Sequence, residues 1–189
     1  MYHPTLEEAR RLAGRGNYLP VYREVTADLE TPVSAYLKVA RGGYSFLLES
    51  VEGGERWARY SFIGAEPYRV LRTGGPDGPA VDPLPAVQEE LSRFRVVPVE
   101  GLPRFTGGAV GYLAYDVVRY FERLPAPETD ALGVPESVFL LTDTLLVFDH
   151  LRHTIKVVTH LRLDGDVDAA YRQAVRRIDA LVARLAEPL

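Results

Sequence analysis

"SVFLLTDTLLVFDHLRHTIKVVTHLRL", residues 137–163, constrains the fold more than any other stretch. Residues 137–150 are apolar on both faces of an extended chain, which predicts one central strand. Residues 153–163 alternate. Ile155, Val157, Thr159, Leu161 and Leu163 face one way, and Lys156, His160 and Arg162 face the other. Only "DHLR" joins the two runs. A parallel crossover needs a dozen or more residues, so the runs must pair as an antiparallel hairpin. A helix follows in "DVDAAYRQAVRRIDALVARLAEPL", with Val167, Tyr171, Ala174, Val175, Ile178, Leu181, Val182 and Leu185 as its apolar stripe. Arg172, Arg176, Arg177 and Arg184 lie mainly on its polar side and read as a solvated face.

The remaining elements fit around that hairpin. "TLEEARRLA" (5–13) predicts a short helix capped by Thr5, with Glu8 in capping-box position. "YLPVYREVTA" (18–27) has strand character, and Pro20 confines it to an edge or a strand start. "TPVSAYLKVARGG" (31–43) carries Thr31 as N-cap and Pro32 at the first helical position, with Val33, Tyr36, Leu37 and Ala40 expected inward. Residues 44–50 and 59–73 read as strands, and residues 73–85 as a Gly/Pro-rich loop. Residues 85–94 read as a helix showing Val87, Leu91 and Phe94 on one face. Residues 103–125 read as a Gly-rich strand running into a helix at 114–122, followed by a loop over 125–135. Strands and helices do not alternate regularly and neighbouring strands form hairpins. The expected class is therefore α+β: a largely antiparallel sheet with packed helices, in a single domain over residues 1–189.

Composition removes several kinds of chemistry. The 189 residues include no cysteine, which excludes disulfides and thiolate metal sites. The net charge is −4, which offers no general attraction to nucleic acid. No stretch approaches the roughly 20 apolar residues of a membrane span. The N-terminus is charged rather than signal-like, so no membrane association is expected, and the absence of cysteine fits an intracellular location. His150 and His153 flank a hairpin turn, where solvated histidines are common, and no metal site is expected. "GGAVGYLAYD" (107–116) lacks the Lys-Ser/Thr of a phosphate loop, and its glycines read as letting a strand and helix pack closely or as giving an unusual turn. No catalytic constellation emerges.

"LLESVEGGERWARYSFIG" (47–64) is the stretch left over. Alternation puts Tyr44, Phe46, Leu48 and Ser50 on one face of a strand, and Ser45, Leu47, Glu49 and Val51 on the other. A carboxylate and a hydroxyl thus end an apolar row. Two readings stand on the residues alone. Either the strand emerges into water there, or it holds a polar small molecule, with Glu49 accepting from an ammonium and Arg56 or Arg59 pairing with a carboxylate.

The segments "PVYREVTADLETPVSAYLKVA", "YSFLLESVEGGERWARYSFIGAEP" and "GGAVGYLAYDVVRYFERLP" resemble the N-terminal domain of anthranilate synthase component I, three separated motifs in the right order. Related chorismate-using enzymes such as aminodeoxychorismate synthase component I share the architecture and are the alternative, together with a stand-alone ligand-binding module. The resemblance implies a part of an enzyme that converts chorismate to anthranilate and pyruvate in tryptophan biosynthesis. It implies Mg²⁺ for the full-length enzyme and none in this piece, a glutamine amidotransferase subunit as ammonia source, and cytoplasmic location. It places the active site in a C-terminal chorismate-binding domain that lies outside these residues. It also implies that this domain helps bind L-tryptophan as feedback inhibitor, through Leu48, Glu49 and Ser50 and, at the start of the next strand, Arg59 and Tyr60.

Overall fold

The structure, a computed structural model, describes residues 1–49, 59–76, 78–125 and 132–189. In chain order the elements are β1 (Tyr2–His3), α1 (Leu6–Leu12), β2 (Tyr18–Thr26), α2 (Pro32–Val39), β3 (Ser45–Leu48), β4 (Tyr60–Ala65) and β5 (Arg69–Thr73). Then come α3 (Leu84–Ser92), β6 (Gly108–Leu113), a 3-10 helix (Tyr115–Tyr120), β7 (Ser137–Thr142), β8 (Thr144–Asp149), β9 (Thr154–Arg162) and α4 (Val167–Leu185). The strands form one sheet of order β1-β2-β9-β8-β4-β3 and a second of order β5-β7-β6. Every paired strand runs antiparallel, as the α+β reading expects.

The apolar run at 137–150 is two strands, not one. β7 is central in the small sheet and β8 is interior in the large one, and the chain changes sheet at Asp143. The Asp143 carbonyl accepts from the His160 backbone N–H at 2.9 Å, so it leaves the β7 ladder and joins β9. The run 59–73 breaks in the same way. Glu66 takes a left-handed φ of 55° just before Pro67, and the chain passes from β4 to β5. Two guanidiniums on α4, one helical face apart by two turns, hold these crossings: Arg177 on Asp143 at 3.0 Å and Arg184 on Glu66 at 2.6 Å. Of the four arginines expected on a solvated face, Arg172 and Arg176 are exposed and these two are ion-paired.

One face of the large sheet is covered by α1, α2 and α4. Leu19, Val21, Ile63, Leu146, Ile155, Val157 and Leu161 meet Ala9, Ala35, Val39, Tyr171, Ala174 and Ile178 there. The other face was expected to be the polar side of β9, yet Lys156 is 2 % and His160 6 % exposed. Leu102 and Phe105, on the segment before β6, pack over Leu145, Val147 and Val158 and close it. Lys156 keeps its charge partnered, donating to Glu24 at 2.5 Å on the neighbouring strand.

Caps sit where the sequence puts them. Thr5 with Glu8 and Thr31 with Ser34 form reciprocal capping boxes, and Asp166 accepts from Ala169 N–H at the start of α4. Pro20 lies in β2 opposite His160, beyond the stretch that β1 covers, so its missing N–H leaves no ladder bond unmade. Two helical faces differ from expectation. α2 buries Pro32, Ala35 and Val39 with Tyr36 half-buried, while Val33 and Leu37 are exposed. α3 buries Glu90, between Arg69 and Arg93, and leaves Leu91 exposed. The helix expected at 114–122 is the 3-10 turn Tyr115–Tyr120, without a side-chain N-cap and with Val117 alone buried. Among the described residues no helix is long and apolar enough to cross a membrane.

Candidate functional site

β3 is an edge strand that pairs only with β4, ending at Leu48 opposite Phe62. Directly opposed residues share a face, so Phe46, Leu48, Phe62 and Tyr60 stand on one side of the sheet. Phe46 lies across Gly64, where any Cβ would overlap its ring; the glycine makes room for that aromatic. Phe62 meets Phe105 edge-on at 5.2 Å and Tyr60 at 6.3 Å. Moving along β3 to its tip, this cover thins, and Leu48 is 44 % exposed. Leu47, on the opposite face, packs into the core against the helices. Glu49 follows the last pair and is exposed. Ser50, with Arg56, lies outside the described residues.

Arg59 enters β4 beside that tip. Its Nε and Nη2 donate to Asp149 Oδ1 and Oδ2 at 3.1 and 2.7 Å, a bidentate pair. Its guanidinium also stands 4.8 Å over the Tyr60 ring. Sequence reasoning offered Arg59 to a ligand carboxylate, and in the fold Asp149 takes both edges of that fork. Asp149 also accepts the backbone N–H groups of Leu151 and Arg152. Burial pushes its carboxyl up, but the hydrogen bonds from Arg59 and from the Arg152 and Leu151 backbone outweigh it and hold the group below the usual carboxylate range. Tyr60, level with Asp149, is half-buried.

The structure thus brings Leu48, Tyr60 and Arg59 to one end of the β3–β4 pair and sets Asp149 behind them. It adds a pair that the sequence reading passed over. Ser61 is fully buried, and its hydroxyl meets His150 Nε2 at 2.8 Å, so His150 is not the solvated turn residue expected. His153, at φ 52°, is exposed. The visible signal was the ending "LLVFDH", an apolar run closed by polar groups like "SFLLES". What this end of the sheet offers is an apolar and aromatic wall bordered by the Glu49 carboxylate, which has no partner among the described residues, and a partly buried ion pair, the ordinary composition of a small-molecule site.

A match to the family of chorismate binding enzymes spans residues 44–188, and the chain belongs to that family. It is 40 % identical over 192 residues to the anthranilate synthase component 1 of Acetivibrio thermocellus, covering 96 % of this chain and 39 % of that protein. It is 43 % identical to a probable anthranilate synthase component 1 of Schizosaccharomyces pombe, covering 98 % of this chain and 38 % of that one. The component 1 of Pseudomonas aeruginosa is 41 % identical, with 97 % and 40 % covered. The chain therefore spans about two fifths of the length of the curated relatives it matches. Its fold resembles the crystal structure of anthranilate synthase component I from Streptococcus pneumoniae, with TM-score 0.57, 23 % identity, and 87 % of this chain and 37 % of that chain covered.

Proposed function

We propose that this chain is the N-terminal domain of an anthranilate synthase component I and that it contributes one wall of an L-tryptophan feedback site. The observation that carries the reading is the tip of β3. There an exposed Leu48 stands on the same face as half-buried Tyr60 and is followed by the exposed carboxylate of Glu49, unpartnered among the described residues, while the relatives that match nearly the whole chain are named anthranilate synthase component 1. In this reading Leu48 and Tyr60 receive the indole and Glu49 the ammonium. Ser50 adds a hydroxyl contact. Arg59 acts through Tyr60 and Asp149 rather than by binding the carboxylate itself, because Asp149 occupies its fork.

The rest of the pocket belongs to a C-terminal chorismate-binding domain, and ammonia comes from a glutamine amidotransferase subunit, in the cytoplasm. The whole enzyme, not this chain, turns chorismate into anthranilate and pyruvate. Among the described residues no group of three or more His, Asp or Glu could hold a metal ion. They do not fit the Mg²⁺ of the family, whose ligands in this reading lie in the C-terminal domain. Inhibition works as a population shift: tryptophan bridging both domains favours a low-activity arrangement, and by linkage chorismate opposes tryptophan binding.

Calorimetry of this chain with L-tryptophan is expected to show weak or undetectable binding, since half the pocket is elsewhere. Tight binding would overturn the shared pocket. In the full-length enzyme, Ser50→Phe is expected to raise the tryptophan concentration for half-inhibition at least about tenfold, a loss of roughly 1.4 kcal/mol. Unchanged sensitivity would remove Ser50 from the site.

A second reading is favoured by the family match itself, which lies within this chain at residues 44–188. In it these residues contact chorismate directly. Saturable binding of chorismate to the isolated chain would favour that reading over the first.

A further inference from the structure

Away from the β3 tip, the junction of the two sheets encloses a crevice that the proposed function does not use. Two cavities, of about 370 and 190 Å³, share the walls Tyr18, Tyr68, Phe94 and His160. The smaller is closed by Leu91 and Val96 on its apolar side and by Arg104, Gly107 and Gly108 on the other. The walls are aromatic and rigid: the Tyr18 ring stacks on His160 at 4.6 Å and 9°, with Phe94 tilted against it at 4.4 Å. His160 is pinned in turn. Its Nδ1–H donates to the Asp143 carbonyl at 3.0 Å, so Nε2 accepts from the Thr106 hydroxyl at 3.2 Å. The "GG" of residues 107–108 shapes the floor. A Cβ on Gly107 would stand 2.9 Å from the Thr142 carbonyl oxygen and 3.0 Å from His160 Cε1.

Two polar groups in this crevice are left without partners. The Tyr18 ring is buried, but its hydroxyl reaches solvent in the crevice and makes no protein hydrogen bond among the described residues. Arg104 has no ion pair among the described residues, whereas Arg162 and Arg177 at the larger cavity are neutralised by Asp164 and Asp143. Aromatic walls, one unspent guanidinium and one unspent hydroxyl define a ligand chemistry.

We propose that this crevice binds a small aromatic carboxylate, its ring against Tyr68, Leu91 and Phe94, its carboxylate on Arg104 and a polar ring substituent on the Tyr18 hydroxyl. The site is separate from the β3 tip and stands or falls independently of the tryptophan reading.

The test is a titration of the 189-residue chain followed by the ring resonances of Tyr18, Tyr68 and Phe94 in NMR, with benzoate, benzamide and 4-hydroxybenzoate as probes. Benzoate is expected to bind saturably with a Kd on the order of millimolar, in keeping with its few heavy atoms. Benzamide, which lacks the charge, binds about tenfold more weakly, and 4-hydroxybenzoate about fivefold more tightly than benzoate. Arg104→Gln brings benzoate to the level of benzamide and leaves benzamide unchanged, and Tyr18→Phe abolishes the preference for the hydroxylated ring. Arg104 is exposed, so its variant keeps the fold and decides the matter even where Tyr18→Phe does not fold. Absence of saturable shifts at about 50 mM benzoate, or equal binding of benzoate and benzamide, overturns the proposal.

Discussion

Asp149 and His160 carry opposite responses to burial, and both make the chain acid-sensitive. Asp149 is held below its ordinary range by Arg59 and two backbone N–H groups despite the upward push of burial. Its folded-state pKa is therefore below the unfolded one. The stability it contributes is full above about pH 4 and is lost as pH falls through the folded value. Asp149→Asn, which keeps the shape and removes the charged acceptor, is expected to cost about 2 kcal/mol at pH 7 in urea unfolding. Below the folded-state pKa of Asp149 the parent and the variant converge. Equal stability at pH 7 would show the Arg59 pair to be energetically idle. His160 is pulled down by burial, against the raising influence of the Asp143 carbonyl and carboxylate. The groups facing it are the Tyr18 ring, the Thr106 hydroxyl and Asp143. The unfolded chain takes up this proton near pH 6.5 and the folded chain does not, so stability is full above about pH 6.5 and declines below it. His160→Gln is expected to remove the first, shallow limb of acid unfolding and to leave the later carboxylate limb. A pH profile identical to the parent's would place that limb elsewhere.

At the scale of elements, caps and hairpins were legible because they depend on neighbours in sequence. Thr5-x-x-Glu8, Thr31 before Pro32 and the stripe of α4 all act within one or two turns. Thr31→Ala is expected to cost about 1 kcal/mol in thermal or urea unfolding, the usual worth of an N-cap. Helix faces were less legible. Val33 and Leu37 are one turn apart and look inward-facing, but β3 and β4 meet α2 through Ala35, Tyr36 and Val39, where Tyr36 bonds Ser45 at 2.8 Å. In the run 59–73 the one local signal of a break is Pro67, and in 137–150 no comparable breaker marks the change of sheet at Asp143. The breaks at Glu66 and Asp143 are fixed from outside, by His160, Arg177 and Arg184. Of the β6 glycines, Gly111 is a close-packing position, whereas a Cβ on Gly108 would meet no atom closer than 4.0 Å and that residue instead takes a φ of 131°. A Cβ on Gly111 would overlap the Val138 carbonyl oxygen across the β6–β7 ladder. Gly111→Ala is thus expected to cost about 2 kcal/mol or more through overpacking, against less than about 0.5 kcal/mol for Gly43→Ala, which meets nothing.

Over the whole molecule, apolar surface is distributed unevenly. Val33, Leu37, Tyr44 and Leu48 are exposed on α2, on β3 and just before it, and Tyr112, Leu113, Tyr115 and Phe121 on β6, the 3-10 helix and just after it. Exposed apolar groups on this scale favour association. Sedimentation of the isolated chain is expected to show self-association that grows with concentration, relieved by Leu37→Glu or Tyr115→Glu. A clean monomer at high concentration would show that these side chains are too dispersed to act together. The candidate site follows the same division between local and distant information. Leu48 and Glu49 could be placed from strand alternation alone, while the partners of Arg59 and Ser61 come from β8 and the turn after it, about ninety residues away.

The amino-acid order by itself determined the antiparallel hairpins, the capped helices and the α4 stripe, because periodicity and capping are properties of adjacent residues. Tertiary structure alone decided that Lys156 and His160 are buried, that two long strands divide between two sheets, and that Arg59 is committed to Asp149. Those outcomes depend on which distant segment arrives to cover a face or neutralise a charge, and no local pattern records that arrival.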